Sequence, residues 1–351
     1  MKQIQEGLMQ CWEEKRPCVV ATIIQVNGSS YQREGARCLI YDNGQIEGMI
    51  SGGCVESDLL EHAIEVLNGH TPKEIDYDFS WENDTIWGLG VGCNGAIKVW
   101  LEPFDPLYNE QKAAEILDEI QNRLVTDEPY VFLSVIHTST PEELSPGTHW
   151  RAGKLAAERL LNRKIDNPIL METEVKGVKA TIFAEPVKPL PRLYIFGTGP
   201  DAAMLSQKAY ELSWRVSVVS HQEANLIKHF SQMDTIVIKR GEYASAQMPA
   251  GVYGIVMNHN LELDILAVKQ LFQTGASYIG ILGSRQRLLK MAETLHEYMA
   301  DPELKDRVHS PVGLDIGAES PQEITLSILA ELTAVKNNRE GGPLCKVKIA
   351  Q

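Results

Sequence analysis

The chain has 351 residues, a length that predicts two or three domains at roughly 150 residues per domain. Its 33 basic and 47 acidic residues give a net charge of −14, which argues against nucleic acid or an anionic membrane as a partner because both carry dense negative charge. The sequence has 44% hydrophobic residues, no apolar run near the ~18 residues of a membrane helix, and no signal pattern at its start. We therefore expect a globular, cytoplasmic protein with no membrane and no nucleic-acid partner.

The first half of the sequence predicts a mixed α/β domain. Apolar residues recur at helical spacing over 3–15, and the β-branched residues of 19–26 are typical of a strand. The elements predicted next are strands at 37–41 and 45–50, a helix at 55–67 and a strand at 96–101. The region of about 105–187 carries no recognisable motif, and its predicted elements are helices near 109–124 and 152–164 and strands near 129–137 and 178–184.

A proline-rich segment at 185–191 predicts a linker between two domains. The predicted domains are residues 1–187 and 188–338, followed by a mobile tail at 339–351. Beyond the linker, predicted strands at 193–196, 216–219, 235–238, 252–257 and 278–282 alternate with predicted helices near 200–212, 223–231, 261–273, 285–299 and 321–336. Because such alternation is typical of a parallel sheet, the predicted fold class is α/β, with an N-terminal mixed α/β domain followed by a Rossmann-like doubly wound parallel-sheet domain.

The first candidate site is the turn after the first strand of the second domain. Gly197-Thr198-Gly199 follows a predicted strand and opens a predicted helix, where glycines allow backbone amides to approach a phosphate. Two neighbours argue against NAD: Asp201 puts negative charge in the first helical turn, and Ser220 replaces the acidic residue that usually binds the ribose. Nucleotide binding and a purely structural tight turn both remain open interpretations.

The second candidate site follows the fifth strand of the same domain. Ser284, Arg285 and Arg287 stand at a predicted helix start, a pattern that favours an anion site. The two arginines are two residues apart and cannot share one helical face, so at most one is expected to reach a given anion. His259 follows another strand at the same edge and is a candidate for the same crevice. The alternatives are exposed surface arginines and a structural histidine.

The third candidate site consists of two cysteines in glycine-rich turns. The chain has six cysteines but no C-x-x-C pair, which argues against a zinc ribbon and an iron–sulfur cluster. Cys54 follows Gly52 and Gly53 at a strand-to-helix turn, where helix amides favour the reactive thiolate and the glycines leave room for a ligand. Cys93 lies in a similar setting. Buried apolar positions suit three others, Cys11, Cys18 and Cys38.

Several segments together resemble the XdhC/CoxI family of xanthine dehydrogenase accessory proteins. In the first half they are 26–37 (VNGSSYQREGAR), 50–56 (ISGGCVE), 92–95 (GCNG) and 101–103 (LEP). In the second half they are 195–199 (IFGTG), 278–285 (YIGILGSR) and 313–318 (GLDIGA), followed by SPQE and the final helix. The segments lie at both ends of the chain in the family's order, whereas the middle matches no motif.

The resemblance implies a maturation factor for molybdenum hydroxylases, with a role in purine catabolism. It implies a homodimeric chaperone that binds the molybdenum cofactor (molybdopterin), protects it, helps to sulfurate it and delivers it to xanthine dehydrogenase or a related enzyme, with a cysteine desulfurase as a further partner. The cofactor-binding residues expected from the motifs are Gly52, Gly53, Cys54, Cys93, Gly197, Gly199, His259, Ser284, Arg285 and Arg287, with Cys54 as the contact for molybdenum.

Two departures from the family pattern argue against NAD(P) as a cofactor. Pro200-Asp201 replaces an apolar pair, and Ser220 replaces an acidic residue. The alternative classes are an NAD(P)-dependent Rossmann oxidoreductase, disfavoured by these departures, and a non-catalytic interaction protein, disfavoured by the paired glycine–cysteine turns. We expect an accessory factor without catalytic residues, because the chain has no iron–sulfur ligand spacing with which to oxidise xanthine by itself.

Overall fold

The computed structural model divides the chain into two units, Met1–Pro189 and Leu190–Gln351. The described residues are 1–53, 55–79 and 95–343. Two predicted site residues, Cys54 and Cys93, lie outside them. Within these three described segments, no helix is both long and apolar enough to cross a membrane.

The N-terminal unit contains a five-stranded antiparallel sheet. Its strands are β1 (Cys18–Gly28), β2 (Arg37–Tyr41), β3 (Ile46–Gly48), β4 (Lys73–Asp78) and β5 (Gly95–Phe104), in the order β3-β2-β1-β5-β4. The helices that pack on it are α1 (Lys2–Glu14) and α3 (Glu110–Val125) on one face and α2 (Glu56–Gly69) on the other. Strand β4 was not predicted, because at the sheet edge only Ile75 and Tyr77 are buried among charged neighbours.

The region without motifs forms a second antiparallel sheet in the same unit. Its strands are β6 (Tyr130–Thr138), β7 (His149–Ala152), β8 (Ile169–Val175) and β9 (Val178–Val187), in the order β7-β6-β9-β8. Helix α4 (Lys154–Leu160) packs on one face, and Trp100 and Phe183 meet in the small core between the two sheets. The edge strands β7 and β8 were not predicted. Because β9 continues to Val187, the proline-rich linker is shorter than predicted.

Buried ion pairs join the two sheets to α3. Glu185 of β9 lies 2.6 Å from Nη2 of Arg37 in β2 and 2.7 Å from Nη1 of Arg123 in α3. Arg123 Nε also donates to Glu119 at 2.8 Å, and none of the four side chains is more than 10% exposed. Burial alone would raise the pKa of Glu185, but attraction to the two guanidinium groups outweighs burial and holds this pKa far below its usual value.

The C-terminal unit is a six-stranded parallel sheet covered by helices on both faces. Its strands are β10 (Arg192–Phe196), β11 (Arg215–Ser220), β12 (Asp234–Val237), β13 (Tyr253–Val256), β14 (Tyr278–Ile281) and β15 (Val308–His309). Its helices are α5 (Pro200–Glu211), α6 (Glu223–His229), α7 (Leu261–Gln273), α8 (Arg285–Thr294), α9 (His296–Met299), α10 (Pro302–Lys305) and α11 (Pro321–Lys336), with a 3₁₀ turn at Tyr243–Ser245. One apolar cluster joins the sheet to α7 and α8, and a second joins it to α5, α6 and α11.

The strand order of this sheet is β12-β11-β10-β13-β14-β15, with every neighbouring pair parallel. The predicted fold class, a mixed α/β domain followed by a doubly wound Rossmann-like domain, is therefore confirmed. Strand β10 lies between β11 and β13. From β10 the chain adds β11 and β12 on one side, and it then crosses to the other side of β10 to add β13, so the strand order reverses between β10 and β13. Ligands of doubly wound sheets bind in the crevice at such a reversal.

Candidate functional site

A cleft of about 680 Å³ opens at the carboxyl edge of the parallel sheet. It lies where β10 ends between β11 and β13, the position at which doubly wound sheets bind ligands. The described residues that line it include 197–200, 220–222, 240 and 257–260. These are the turns that follow four neighbouring strands, so parallel pairing brings together residues that are distant in the sequence.

The turn after β10 requires glycine at its first position and has a second glycine at the start of the next helix. Gly197 has a φ of +136°, and a Cβ atom there would collide with the backbone oxygen of Met257. Gly199 is the N-cap of α5, and a Cβ atom there would lie 2.7 Å from a carboxylate oxygen of Asp201. Because no side chain caps α5, its first amides remain available to an anion in the cleft.

His259 reaches from the turn after β13 to the first turn of α5. Its Nε2 lies 3.2 Å from Oδ2 of Asp201, and its side chain is 61% exposed in the cleft. Its backbone adopts the left-handed region with a φ of +57°. Asp201 therefore has an imidazole partner, which the sequence does not reveal.

Behind the cleft, Asp264 of α7 is a fully buried carboxylate. It accepts hydrogen bonds from the backbone N and the side-chain Nδ2 of Asn258, both at 3.1 Å. Arg287 Nη2 donates to the other oxygen of Asp264. Asn258 also accepts a hydrogen bond from the Tyr243 hydroxyl at 3.1 Å. These contacts fix the turn after β13 and neutralise the buried charge.

Two residues of the second candidate site have partners within the protein. The guanidinium of Arg287 pairs with Asp264, and its role at an anion site stays a prediction. Ser284 caps α8, its hydroxyl accepting from the backbone N of Arg287. Neither residue is among the described residues that line the cleft. The side chain of Arg285 lies outside the described part of the chain, so its role stays a prediction.

Sequence reasoning missed the polar residues at the opposite end of the cleft. Thr198 donates to Gln222 Oε1 at 2.7 Å, and Asn225 Nδ2 donates to the same oxygen at 2.8 Å. Ser220, which ends β11, accepts from the backbone N of Gln222 at 3.1 Å. Arg240, beyond the end of β12, lines the same cleft. For Ser220, Gln222 and Arg240 the only signal in the sequence was position, since each closely follows a predicted strand of a parallel sheet.

The lining of this cleft contrasts with the charge of the whole protein. The chain has a net charge of −14, yet none of the described lining residues is a carboxylate. Arginine, imidazole, amide and hydroxyl groups line it instead: Arg240, His221, His229, His259, Asn258, Asn260, Gln222, Asn225, Thr198 and Ser220. An anionic ligand would meet no direct like-charge contact there.

In the N-terminal unit, the loop that contains Cys54 is closed by Ser51 and Glu56. The Ser51 hydroxyl donates to Glu56 at 2.7 Å, and it accepts from the backbone N of Gly53 at 3.2 Å. Gly53 has a φ of +109°, and a Cβ atom there would meet nothing within 4 Å. A Cβ atom on Gly52 would meet only the ring of Tyr31 at 4.0 Å. Among the described residues, the glycine pair therefore has little beside it.

The predicted roles of Cys54 and Cys93 fall outside the described residues, and both stay predictions. The expectation of burial for Cys11, Cys18 and Cys38 is confirmed. A hydrogen bond between Cys11 and Cys18 lowers the pKa of Cys11 and, together with burial, raises that of Cys18. Burial raises the pKa of Cys38 to about 12. Over the described parts of the chain, no group of three or more His, Cys, Asp or Glu side chains is arranged to hold a metal ion.

The fold and the cleft define a two-unit protein whose second unit has a Rossmann-type sheet. Family models match both units: the XdhC Rossmann domain matches residues 193–332, and the XdhC and CoxI family matches residues 11–78. The chain belongs to the XdhC and CoxI family, as its motifs indicate.

Named relatives span nearly the whole chain. A protein of Bacillus subtilis (strain 168), named as a probable xanthine dehydrogenase subunit, is 29% identical over 91% of this chain and 93% of its own length. The molybdenum cofactor insertion chaperone PaoD of Escherichia coli (strain K12) is 21% identical over 92% of this chain and 84% of its own. A crystal structure described as a xanthine dehydrogenase from Bacillus halodurans has a TM-score of 0.73 and 29% identity, covering 97% of this chain and 98% of that one.

Proposed function

We propose that this protein is a maturation factor that binds the molybdenum cofactor and supplies it to a xanthine-dehydrogenase-type molybdenum hydroxylase. Family membership carries the proposal, because one relative is named a molybdenum cofactor insertion chaperone and another is named for xanthine dehydrogenase. The cofactor is cargo in this proposal, so the protein needs to hold it and release it.

The cleft of the C-terminal unit suits such a cargo. The molybdenum cofactor is an anionic pterin phosphate, and the described lining contains no carboxylate. The turn at Gly197 and Gly199 allows close backbone approach, and the uncapped start of α5 favours an anion. The volume of about 680 Å³ lies within the ~300–1,000 Å³ typical of small-molecule sites. We propose that the phosphate end of the cargo binds in this cleft.

We propose that Cys54 contacts the molybdenum. A thiolate is a suitable molybdenum ligand, and the space beside Gly52 and Gly53 leaves room for a bulky group. The hydrogen bonds between Ser51 and Glu56 hold both ends of this loop. Cys93 is the proposed second thiol of the site.

The finer details of the proposal concern partners. We propose that a cysteine desulfurase supplies the sulfur with which the bound cofactor is sulfurated, and that the protein works as a homodimer in the cytoplasm. A pull-down with the desulfurase and the client enzyme tests the first point. Light scattering of the purified protein tests the second.

The main test compares Cys54→Ala with Cys18→Ala after purification from a cofactor-replete host. Cys54→Ala should sharply lower the molybdenum and pterin content, and the yield of active client enzyme, with little change in thermal stability. Cys18 is fully buried in β1, so Cys18→Ala should cost roughly 1 kcal/mol of stability and leave cofactor retention unchanged. Full cofactor retention by Cys54→Ala would overturn the role of this thiol. Absence of molybdenum and pterin from the unmodified protein would overturn the proposed function.

A further inference from the structure

The end of the cleft farthest from His259 is formed where β11 and β12 leave the sheet. The two strands are parallel neighbours, and the backbone N of Ile238 donates to the carbonyl oxygen of Ser220 at 3.0 Å. His221 directly follows Ser220, and Arg240 comes two residues after Ile238. Both side chains therefore emerge at the same edge of the sheet. His229, in the last turn of α6, lines the same cleft.

Arg240 and His221, at this end of the cleft, lack side-chain partners among the described residues. Arg240 is exposed and has no ion-pair or hydrogen-bond partner among the described residues. The Nδ1 atom of His221 is buried and lacks a hydrogen-bond partner in the described structure. Ser220 accepts a hydrogen bond from the backbone of Gln222, which leaves its hydroxyl proton available to donate. Three donors of different kinds thus lie at one end of one cleft.

Carboxylates near this end do not neutralise these groups. Glu223 and Glu242 are close in sequence, but neither is among the described lining residues. Asp264 is committed to Arg287 behind the cleft, and Asp201 lies beside His259 at the other end. A ribose diol is usually recognised by a carboxylate at the end of the second strand, whereas an arginine at this edge accommodates a phosphate.

We propose that Ser220, His221, His229 and Arg240 form a second anion subsite, which binds a terminal phosphate monoester of the ligand in this cleft. The glycine turn at Gly197 contacts the ligand at a separate point. The inference deepens the proposed function and rests on it, because it assigns a phosphate of the same cargo to named residues. A pterin phosphate and a nucleotide phosphate share the required chemistry.

Calorimetry with inorganic pyrophosphate at fixed ionic strength tests the subsite without the cofactor. Arg240→Gln should raise the dissociation constant of pyrophosphate at least tenfold, because it removes the guanidinium and preserves polarity. Lys228→Gln is the matched control: it removes one charge from an exposed position on α6 that is not among the described lining residues. It should change the constant less than twofold. Equal effects of the two variants, or no binding to the unmodified protein, would overturn the subsite.

Two further measurements distinguish the sources of the phosphate. Loss of copurified pterin phosphate from Arg240→Gln, detected by mass spectrometry, would assign the subsite to the pterin. A preference for NADPH over NADH that disappears in Arg240→Gln would assign it to a nucleotide. The proposed function fails when the unmodified protein carries no molybdenum or pterin, whereas the subsite fails when Arg240→Gln leaves pyrophosphate affinity intact, so the two failures are separable.

Discussion

Glu185→Gln should destabilise the N-terminal unit more than any substitution of a surface charge. The change removes the counter-charge of Arg37 and Arg123, whose side chains are each 6% exposed. In the variant, Arg37 still has its hydrogen bond to the carbonyl oxygen of Gly35, at 2.8 Å. Arg123 still has its ion pair with Glu119, at 2.8 Å. Breaking one side of a buried ion pair costs about 3–5 kcal/mol. At about 2–4 °C per kcal/mol for a unit of this size, the melting temperature should fall by roughly 10 °C.

The effect should depend on pH in a defined direction. The pKa of Glu185 is lowered in the folded protein, so its stabilisation is complete above the unfolded value of ~4.3 and is lost as the pH falls below it. Each pH unit is worth ~1.4 kcal/mol, so the difference between the unmodified protein and Glu185→Gln should shrink by about 1.8 kcal/mol at pH 3. The difference shrinks because the carboxyl of the unfolded chain takes up a proton at pH 3, whereas the carboxyl of the folded protein stays ionised between its two guanidinium partners.

The assay is urea unfolding at pH 7 and pH 3, with hydrogen exchange of β6 and β9 to locate the effect. Glu211→Gln is the control, since its partner Lys208 and Glu211 itself are 55% and 47% exposed. An exposed pair contributes about 0–1 kcal/mol, so this variant should unfold almost normally. A Glu185→Gln cost below 1 kcal/mol at pH 7, or a cost that is equal at both pH values, would refute the reasoning.

Three other predictions concern the C-terminal unit and the activity. Gly197→Ala should lower the free energy of unfolding by about 1–3 kcal/mol, because φ is +136° and the new Cβ would collide with the backbone of Met257. An unchanged thermal unfolding curve would contradict this requirement for glycine. Asp201→Ala should strengthen pyrophosphate binding about two- to fivefold by removing negative charge at the start of α5, and weaker binding in calorimetry would argue against it. NAD and NADP should bind more weakly than a low micromolar dissociation constant, which corresponds to a binding free energy near −8 kcal/mol, and saturable micromolar binding would refute this. Homogeneous protein should not oxidise xanthine, and measurable turnover would refute that expectation.

The sequence determined the local elements and the class of the second domain. Strands alternate with helices after residue 191, and the turn with the positive φ of +136° has glycine at that position, Gly197. A capping box of Ser320 and Glu323, four residues of local sequence, begins α11. These features were predictable because propensity, capping and backbone sterics act between residues close together in the chain.

Only the tertiary structure decided which distant side chains meet. Arg287 pairs with Asp264 across 23 positions, and Arg37 pairs with Glu185 across 148. The first pairing gives Arg287 a buried partner that its sequence context does not reveal. Strand order brought Arg240 into the cleft, although no motif marks it. Such pairings depend on sheet order and on the geometry of parallel strand ends, which periodicity along the chain does not encode.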